Sequence, residues 1–305
     1  MGSPEFALPS FQAITKSHHK IIGVVTQPDR PKGRGQILQP TSIKKVAQEN
    51  QISPIFQPEK LLDHPFIDDL KSLTPDLFVV VAFRILPEEV FSIPPKGTIN
   101  LHPSLLPKYR GPAPIHWTII NGEKETGATI IQISRRIDSG GIILQKKMPV
   151  YDDDTTGSLH DRLASFGADL LIEAINAIEQ GDLFIQKQDD NLATPAPKID
   201  KDTCHISFKQ SAEKVKKWIH GLSPFPTAYA ILNDKNINLF KAKVVNINAI
   251  VQQPGKIINI DNGEIHVACQ PGVISILELQ REGKKRLSSL EFLRGYRLKI
   301  GDVFV

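Results

Sequence analysis

The chain has 305 residues, room for two domains of roughly 100–200 residues each, and 40% of them are hydrophobic, enough for a sizeable core. No run approaches the ~18 consecutive apolar residues that a membrane span needs, and Met1 to Glu5 has no basic stretch leading into an apolar one. No membrane contact and no secretory leader are expected, and the expected location is cytoplasmic. Two cysteines, Cys204 and Cys269, are too few for a disulfide framework and belong to no zinc-like cluster, so small core residues are the natural reading. The net charge of +4 is uneven: residues 206–305 hold 15 Lys and Arg against 8 Asp and Glu (+7), while residues 1–205 hold 22 against 25 (−3). A basic half fits a polyanionic partner, and equally a solvated basic surface.

In chain order, residues 21–26 form a short apolar run ending in turn chemistry at Gln27-Pro28-Asp29, and residues 43–50 read as a helix. Residues 77–82 are a Val-rich run too short for a helix, as expected of a strand buried on both faces. Residues 98–102 predict another strand, and residues 126–134 an edge or antiparallel one. Residues 157–180 predict a long amphipathic helix with Leu159, Leu163, Leu170, Leu171, Ala174 and Ile178 near one face. Strands alternating with helices imply an α/β fold with a largely parallel sheet. Residues 187–204, polar and carrying Pro195 and Pro197, read as an interdomain linker that is partly extended. A short helix over 211–220 follows, with Ser211 as N-cap. Five strands then recur over 228–232, 237–242, 256–260, 264–268 and 273–279, with turn signals between them, which indicates a small β-barrel. The expected division is an α/β domain over 1–186, the linker over 187–204 and the β-domain over 205–305.

One stretch could carry chemistry: Asn100-Leu101-His102-Pro103-Ser104-Leu105-Leu106-Pro107-Lys108-Tyr109-Arg110-Gly111. Side chains two apart on a strand share a face, so Asn100 and His102 project together from the carboxyl end, where open α/β sheets bind ligands. Asp138 sits in the loop Arg136-Ile137-Asp138-Ser139-Gly140-Gly141, where glycines permit close backbone approach. An Asn, His and Asp set suits acyl transfer to an amine. Asn100 and a protonated His102 would stabilise the developing oxyanion, while Asp138 would hold the imidazole and order a proton-relaying water. Spacing alone leaves a satisfied polar pair as the commoner outcome for Asn-x-His.

The same stretch, followed by Ala113-Pro114-Ile115, Asn121-Gly122-Glu123, Thr126-Gly127 and Ile137-Asp138-Ser139-Gly140, resembles the signature of formyltransferases that use 10-formyltetrahydrofolate. The resemblance implies a Rossmann-like sheet and a catalytic trio of Asn100, His102 and Asp138. It also implies folate contacts around Phe83, Ile85, Leu86, Ser104, Leu105, Leu106 and Pro107. The folate would be a co-substrate, with no metal and no bound cofactor. Sugar-nucleotide formyltransferases share almost all of this signature. Thr26-Gln27-Pro28-Asp29-Arg30-Pro31-Lys32-Gly33-Arg34-Gly35 resembles the tRNA-contacting loop of the methionyl-tRNA formyltransferase family, a flexible basic loop in which Arg30, Lys32 and Arg34 would meet phosphates and base edges. The basic C-terminal region resembles that family's OB-like domain. The implied partner is charged initiator tRNA, with the enzyme expected to be a monomer. Two alternatives stay open: a transferase acting on an amino sugar nucleotide, and an inactive RNA-binding module.

The chain departs from the family pattern at two places. The family's turn is present at Met1-Gly2-Ser3-Pro4-Glu5-Phe6 without a preceding apolar strand, so the sheet is expected to lack its first strand. Ala82-Phe83-Arg84-Ile85-Leu86-Pro87 stands where many relatives have Ala-Tyr-Gly and one more residue before the proline, which implies a slightly reshaped pterin pocket. Elsewhere, Asp152-Asp153-Asp154 is expected to serve a helix start rather than a metal. His116 and Trp117 are expected to pack a helix start, and His18-His19 to lie at the surface. The cluster Arg281, Lys284, Lys285 and Arg286 fits polyanion binding and solvation equally.

Overall fold

The computed structural model describes residues 1–32, 37–181 and 184–305. In chain order the elements are α1 (Leu8–Lys16), β1 (Val24–Val25), β2 (Arg30–Lys32), β3 (Ile37–Gln39), α2 (Ser42–Glu49), β4 (Ile55–Phe56), α3 (His64–Ser72), β5 (Phe78–Val81), α4 (Glu88–Phe91), β6 (Thr98–His102) and α5 (Pro114–Asn121). They continue with β7 (Glu125–Gln132), β8 (Ile142–Pro149), α6 (Thr156–Gln180), α7 (Ala212–Gly221), β9 (Ala228–Leu232), β10 (Lys235–Asn246), β11 (Ile257–Asp261), β12 (Glu264–Ala268), β13 (Val273–Arg281), β14 (Leu287–Ser288) and α8 (Ser289–Gly295). Two compact units emerge: residues 1–111, 125–149 and 160–196 form the first, and residues 112–124, 150–159 and 197–305 the second.

The first unit is α/β with its parallel strands on one side. β1 pairs in parallel with β4, and β5 with β6. Gly2 donates to Val25 O and bridges Val81 in parallel, while Val81 N donates to Met1 O. Met1 and Gly2 thus stand between β1 and β5, and the expected lack of a first strand is not confirmed. β7 and β8 extend the sheet antiparallel beyond β6. β7 is therefore antiparallel as expected but interior, because β8, which has no clear pattern in the sequence, pairs along its other side. β1 is shorter than the apolar run suggested, since its ladder partner β4 offers only two residues. Ile99 and Leu101 of β6 are buried, and Gly167 lets α6 approach Leu101: a Cβ there would lie 2.8 Å from that side chain. Leu163, Leu170, Leu171 and Ala174 of α6 are all buried, as its periodicity required.

The second unit is an antiparallel sheet in the order β11-β12-β13-β10-β9, with β14 beside β13. Asn233 and Asp234 both take positive φ, 49° and 59°, the two-residue hairpin geometry whose twist matches the flanking strands. β10 consequently starts at Lys235, two residues before the expected position. The last residues close the sheet. Val305 exchanges both backbone hydrogen bonds with Ile231, Phe304 N donates to Gly255 O, and Val303 bridges Lys256. The side chain of Phe304 is buried with Ile237, Leu239, Ile257 and Ile274 in one core. Ser211 caps α7 by accepting from Lys214 N. Cys204 and Cys269 are buried and unpaired, and burial pushes the Cys269 thiol up to about 12, as core residues rather than reactive ones.

Lys243 donates to the Glu264 carboxylate, and the His266 ring contacts it at 3.0 Å; hydrogen bonding from these partners holds Glu264 down to about 2. A depressed carboxyl stabilises the fold above its unfolded pKa and loses that contribution as pH falls towards the folded value. Glu264→Gln should therefore lower stability at pH 7, by less than about 1 kcal/mol because the pair is partly exposed. The difference from wild type in urea midpoints should disappear as pH falls from about 4.5 to about 2.

Candidate active site

β6 ends on His102, and the chain turns at once into a loop with little freedom. Ser104 Oγ donates to Lys108 O at 2.7 Å, and Thr129 Oγ1 of β7 donates to Ser104 O at 2.6 Å. Gln145 Nε2 of β8 donates to both Leu106 O and Thr129 Oγ1. This lattice sets Tyr109 so that its carbonyl lies 2.9 Å from His102 Nε2. A carbonyl only accepts, so Nε2 carries the proton there, and Nδ1 is the nitrogen that faces Asp138 Oδ2, 3.6 Å away.

Asp138 reaches this position from a loop pressed against the end of β7. Gln132 N donates to Gly141 O at 2.9 Å, and a Cβ on Gly140 would lie 1.6 Å from Gln132 O. Asp138 itself has φ 51°, a left-handed conformation that Asp tolerates better than most residues with a side chain. Its Oδ2 accepts from Gly111 N at 2.9 Å. The His102 imidazole is 5% exposed and the Asp138 side chain 16% exposed, so the carboxylate is the more open end of the pair. Asn100 is half-buried on the same strand, two residues before His102, and among the described residues no group hydrogen-bonds its carboxamide. The three side chains thus offer an unengaged amide beside an anchored imidazole and a carboxylate, which is suited to donating to an oxyanion while a proton is held nearby.

The residues expected at the folate are placed unevenly. Ile85 is 72% exposed, Phe83 is half-buried with the Arg84 guanidinium 5.4 Å from its ring centre, and Leu105 and Pro107 are half-buried. Ser104, Leu86 and Leu106 are buried, so the structure does not present these three at a surface a ligand could touch. Of the basic residues expected to meet tRNA, Arg30 is exposed on β2, Lys32 closes the same strand, and Arg34 lies outside the described residues. The expected flexible loop is corrected at 30–32, which pairs antiparallel with β3. Pro31 and the two flanking cations give this strand no signal in the sequence. Its base is pinned by Asp29, which accepts from Lys44 Nζ at 2.7 Å and from Gln57 Nε2 at 2.7 Å. Those two donors, Lys44 first, hold the Asp29 carboxyl below the usual carboxylate range.

Other candidates fall where the plainer readings put them. Asp154 accepts from Tyr151 N and from Ser158 Oγ at the start of α6, Asp152 pairs with Lys124, and Trp117 packs edge-on against Trp218. His18 and His19 contact Glu179 and Asn176 of α6. Among the described residues, only His18, His19 and Glu179 place three metal-type donor atoms within 4.8 Å of one another, and none belongs to the trio. A cavity lined by Ile22, Val24, Leu77, Val79 and Ile175, with Lys20, Asp76, Lys96 and Glu179 also on its wall, holds no member of the trio either.

Comparison with known proteins gives the family. The formyl transferase family model matches residues 1–175, and the formyl transferase C-terminal domain model matches residues 198–297. The solved N-formyltransferase from Helicobacter canadensis, in complex with folinic acid and dTDP-3-aminofucose, shares the fold at a TM-score of 0.68 and 23% identity, covering 92% of this chain and 97% of that one. Methionyl-tRNA formyltransferase from Citrifermentans bemidjiense is 43% identical over 99% of this chain and 94% of its own length. The enzyme of that name from Clostridium novyi is 43% identical over 99% of this chain and 98% of its own. With near-complete coverage on both sides, this chain belongs to the methionyl-tRNA formyltransferase family.

Proposed function

We propose that this chain transfers the formyl group of 10-formyltetrahydrofolate to the α-amino group of methionyl-tRNA. The observation that carries the reading is the meeting of His102 and Asp138 at 3.6 Å, beside an unengaged Asn100, in a chain 43% identical to enzymes of that name. The α-amino group, with a pKa of ~7.7–8.0, is partly neutral at pH 7 and attacks the formyl carbon without a strong base. As the C–N bond forms, charge gathers on the formyl oxygen, and the Asn100 carboxamide donates to it. The amine proton passes through water ordered at Asp138, with His102 steadying the carboxylate. It ends on N10 of the folate as the C–N10 bond breaks. Phe83, Ile85, Leu105 and Pro107 give the folate its side-chain contacts, and Arg30, Lys32 and Arg34 meet the tRNA.

On this reading residues 1–186 form the catalytic domain, 187–204 the linker and 205–305 the RNA-binding domain, whose +7 balance suits a polyanion. No described helix is long and apolar enough to cross a membrane. We place the reaction in the cytoplasm, with a single chain as the working unit. The test is incubation with labelled 10-formyltetrahydrofolate and either charged initiator tRNA or an amino sugar nucleotide. Label should enter the tRNA alone. Label in the sugar would overturn the acceptor, and label in neither would favour the inactive RNA-binding alternative. In the same assay Arg30→Ala should raise KM for tRNA and leave KM for the folate unchanged.

A further inference from the structure

Gln188 belongs to the stretch that the sequence reads as linker, yet it is only 6% exposed, and both ends of its amide are engaged. Its Nε2 donates to Asp138 O at 2.8 Å and to Gly140 O at 2.7 Å. Its Oε1 accepts from Arg110 Nε at 3.0 Å and from Arg110 Nη2 at 2.7 Å. Arg110 is further held by Asp190, with Nη2 to Oδ1 at 2.8 Å.

The position of these bonds matters more than their number. Arg110 lies between Tyr109, whose carbonyl accepts a hydrogen bond from His102 Nε2, and Gly111, whose N–H donates to Asp138 Oδ2. One amide therefore ties the backbone that grips His102 to the backbone that carries Asp138. The segment supplying it is itself fixed. Gln186 exchanges both backbone bonds with Ile142, Arg110 N donates to Thr194 O, and Ala196 N donates to Arg110 O at 2.7 Å. A Cβ on Gly111 would lie 2.7 Å from Ala196 O, so the two chains run in close contact. The backbone of Asp138 is left-handed, a conformation that Asp tolerates, and the amide of Gln188 grips its carbonyl from outside the loop. The side-chain bonds Ser134 Oγ to Arg136 O and Ser139 Oγ to Arg136 O close within the loop, the pairs of Arg135 with Glu88 and Arg136 with Asp190 leave it but are exposed, and Gly111 N holds the Asp138 carboxylate rather than its backbone. Hydrogen bonds in a buried setting hold position better than exposed ones.

We propose that Gln188 is a positioning residue for the transfer reaction: through the carbonyls of Asp138 and Gly140 it holds the Asp138 carboxylate in register with His102. This rests on the assignment of Asp138 and His102 to the reaction. A double-mutant cycle tests it, using Gln188→Ala, Gln188→Glu, Asp138→Asn and the two doubles, with thermal midpoints recorded for each. Gln188→Glu keeps the shape and the acceptors for Arg110 but lacks both donors, so it carries the test should the alanine variant fold poorly. Both single Gln188 variants should lose about 10²-fold in kcat while KM for folate and for tRNA stays within about twofold. In the Asp138→Asn background, either Gln188 change should cost nothing further, because the group it positions has gone. Losses that multiply in the doubles, or wild-type kcat in Gln188→Glu, would overturn the proposal while leaving the assignment of Asp138 intact. Wild-type kcat in Asp138→Asn would overturn that assignment and this proposal with it.

Discussion

Replacing Asn100 with alanine should lower kcat by about 10²–10³-fold, a loss of roughly 2.7–4 kcal/mol in transition-state stabilisation. The size follows from what the residue is doing. Its carboxamide is the one polar group of the trio with no described partner, so its donors remain for a ligand. His102, by contrast, spends Nε2 on Tyr109 O and turns Nδ1 towards Asp138. An amide that meets the formyl oxygen chiefly when charge has built up there contributes to the transition state and little to ground-state binding. KM for folate and for tRNA should accordingly stay near wild type, and rapid-quench single turnovers should show the deficit in the chemical step. A variant that turns over within about tenfold of wild type would remove Asn100 from the chemistry.

Gly140→Ala should damage fold and activity together. The obstacle is main chain: the new Cβ would meet Gln132 O at 1.6 Å and Gln132 C at 2.9 Å. No rotamer change relieves a backbone clash, so the loop must part from the end of β7 and give up the Gln132 N to Gly141 O bond. Overpacking of this kind costs about 1–3 kcal/mol and sometimes more. The displacement falls two residues from Asp138, where a shift of about 1 Å is enough to lower kcat about 10²-fold. Gly295→Ala, at a position with nothing within 4 Å of the added atom, is the matching control and should change neither the thermal midpoint nor kcat. If Gly140→Ala melted and turned over like wild type, the loop would not be held as described.

What the sequence disclosed and what it hid divide along a physical line. β6 was readable to the residue because Ile99 and Leu101 alternate with Asn100 and His102, and its ends are marked by Gly97 and Pro103. Asp138 was readable because Gly140 and Gly141 mark a place of close backbone approach. Asn262-Gly263 was readable as a turn because its positive φ angles suit those residue types. β8 was not, since Lys146 and Lys147 break its apolar pattern where the strand meets solvent. Gln188 left no local signal at all. A polar residue among Asp, Asn and Pro looks like spacer, and what buries it is the carbonyls of residues 48 and 50 positions away in sequence. Periodicity reports which face a segment turns inward, whereas a bond between distant backbones has no period to find.

The tail that seals the β-domain has a practical corollary. Removing Phe304 and Val305 would leave most of the core sequence untouched while stripping the partners from Ile231 on one side and Gly255 on the other. Two naked strand margins would then face solvent, the surface on which proteins stack into aggregates. Loss of solubility during storage would thus register damage at this end well before the trio around Asn100 was touched.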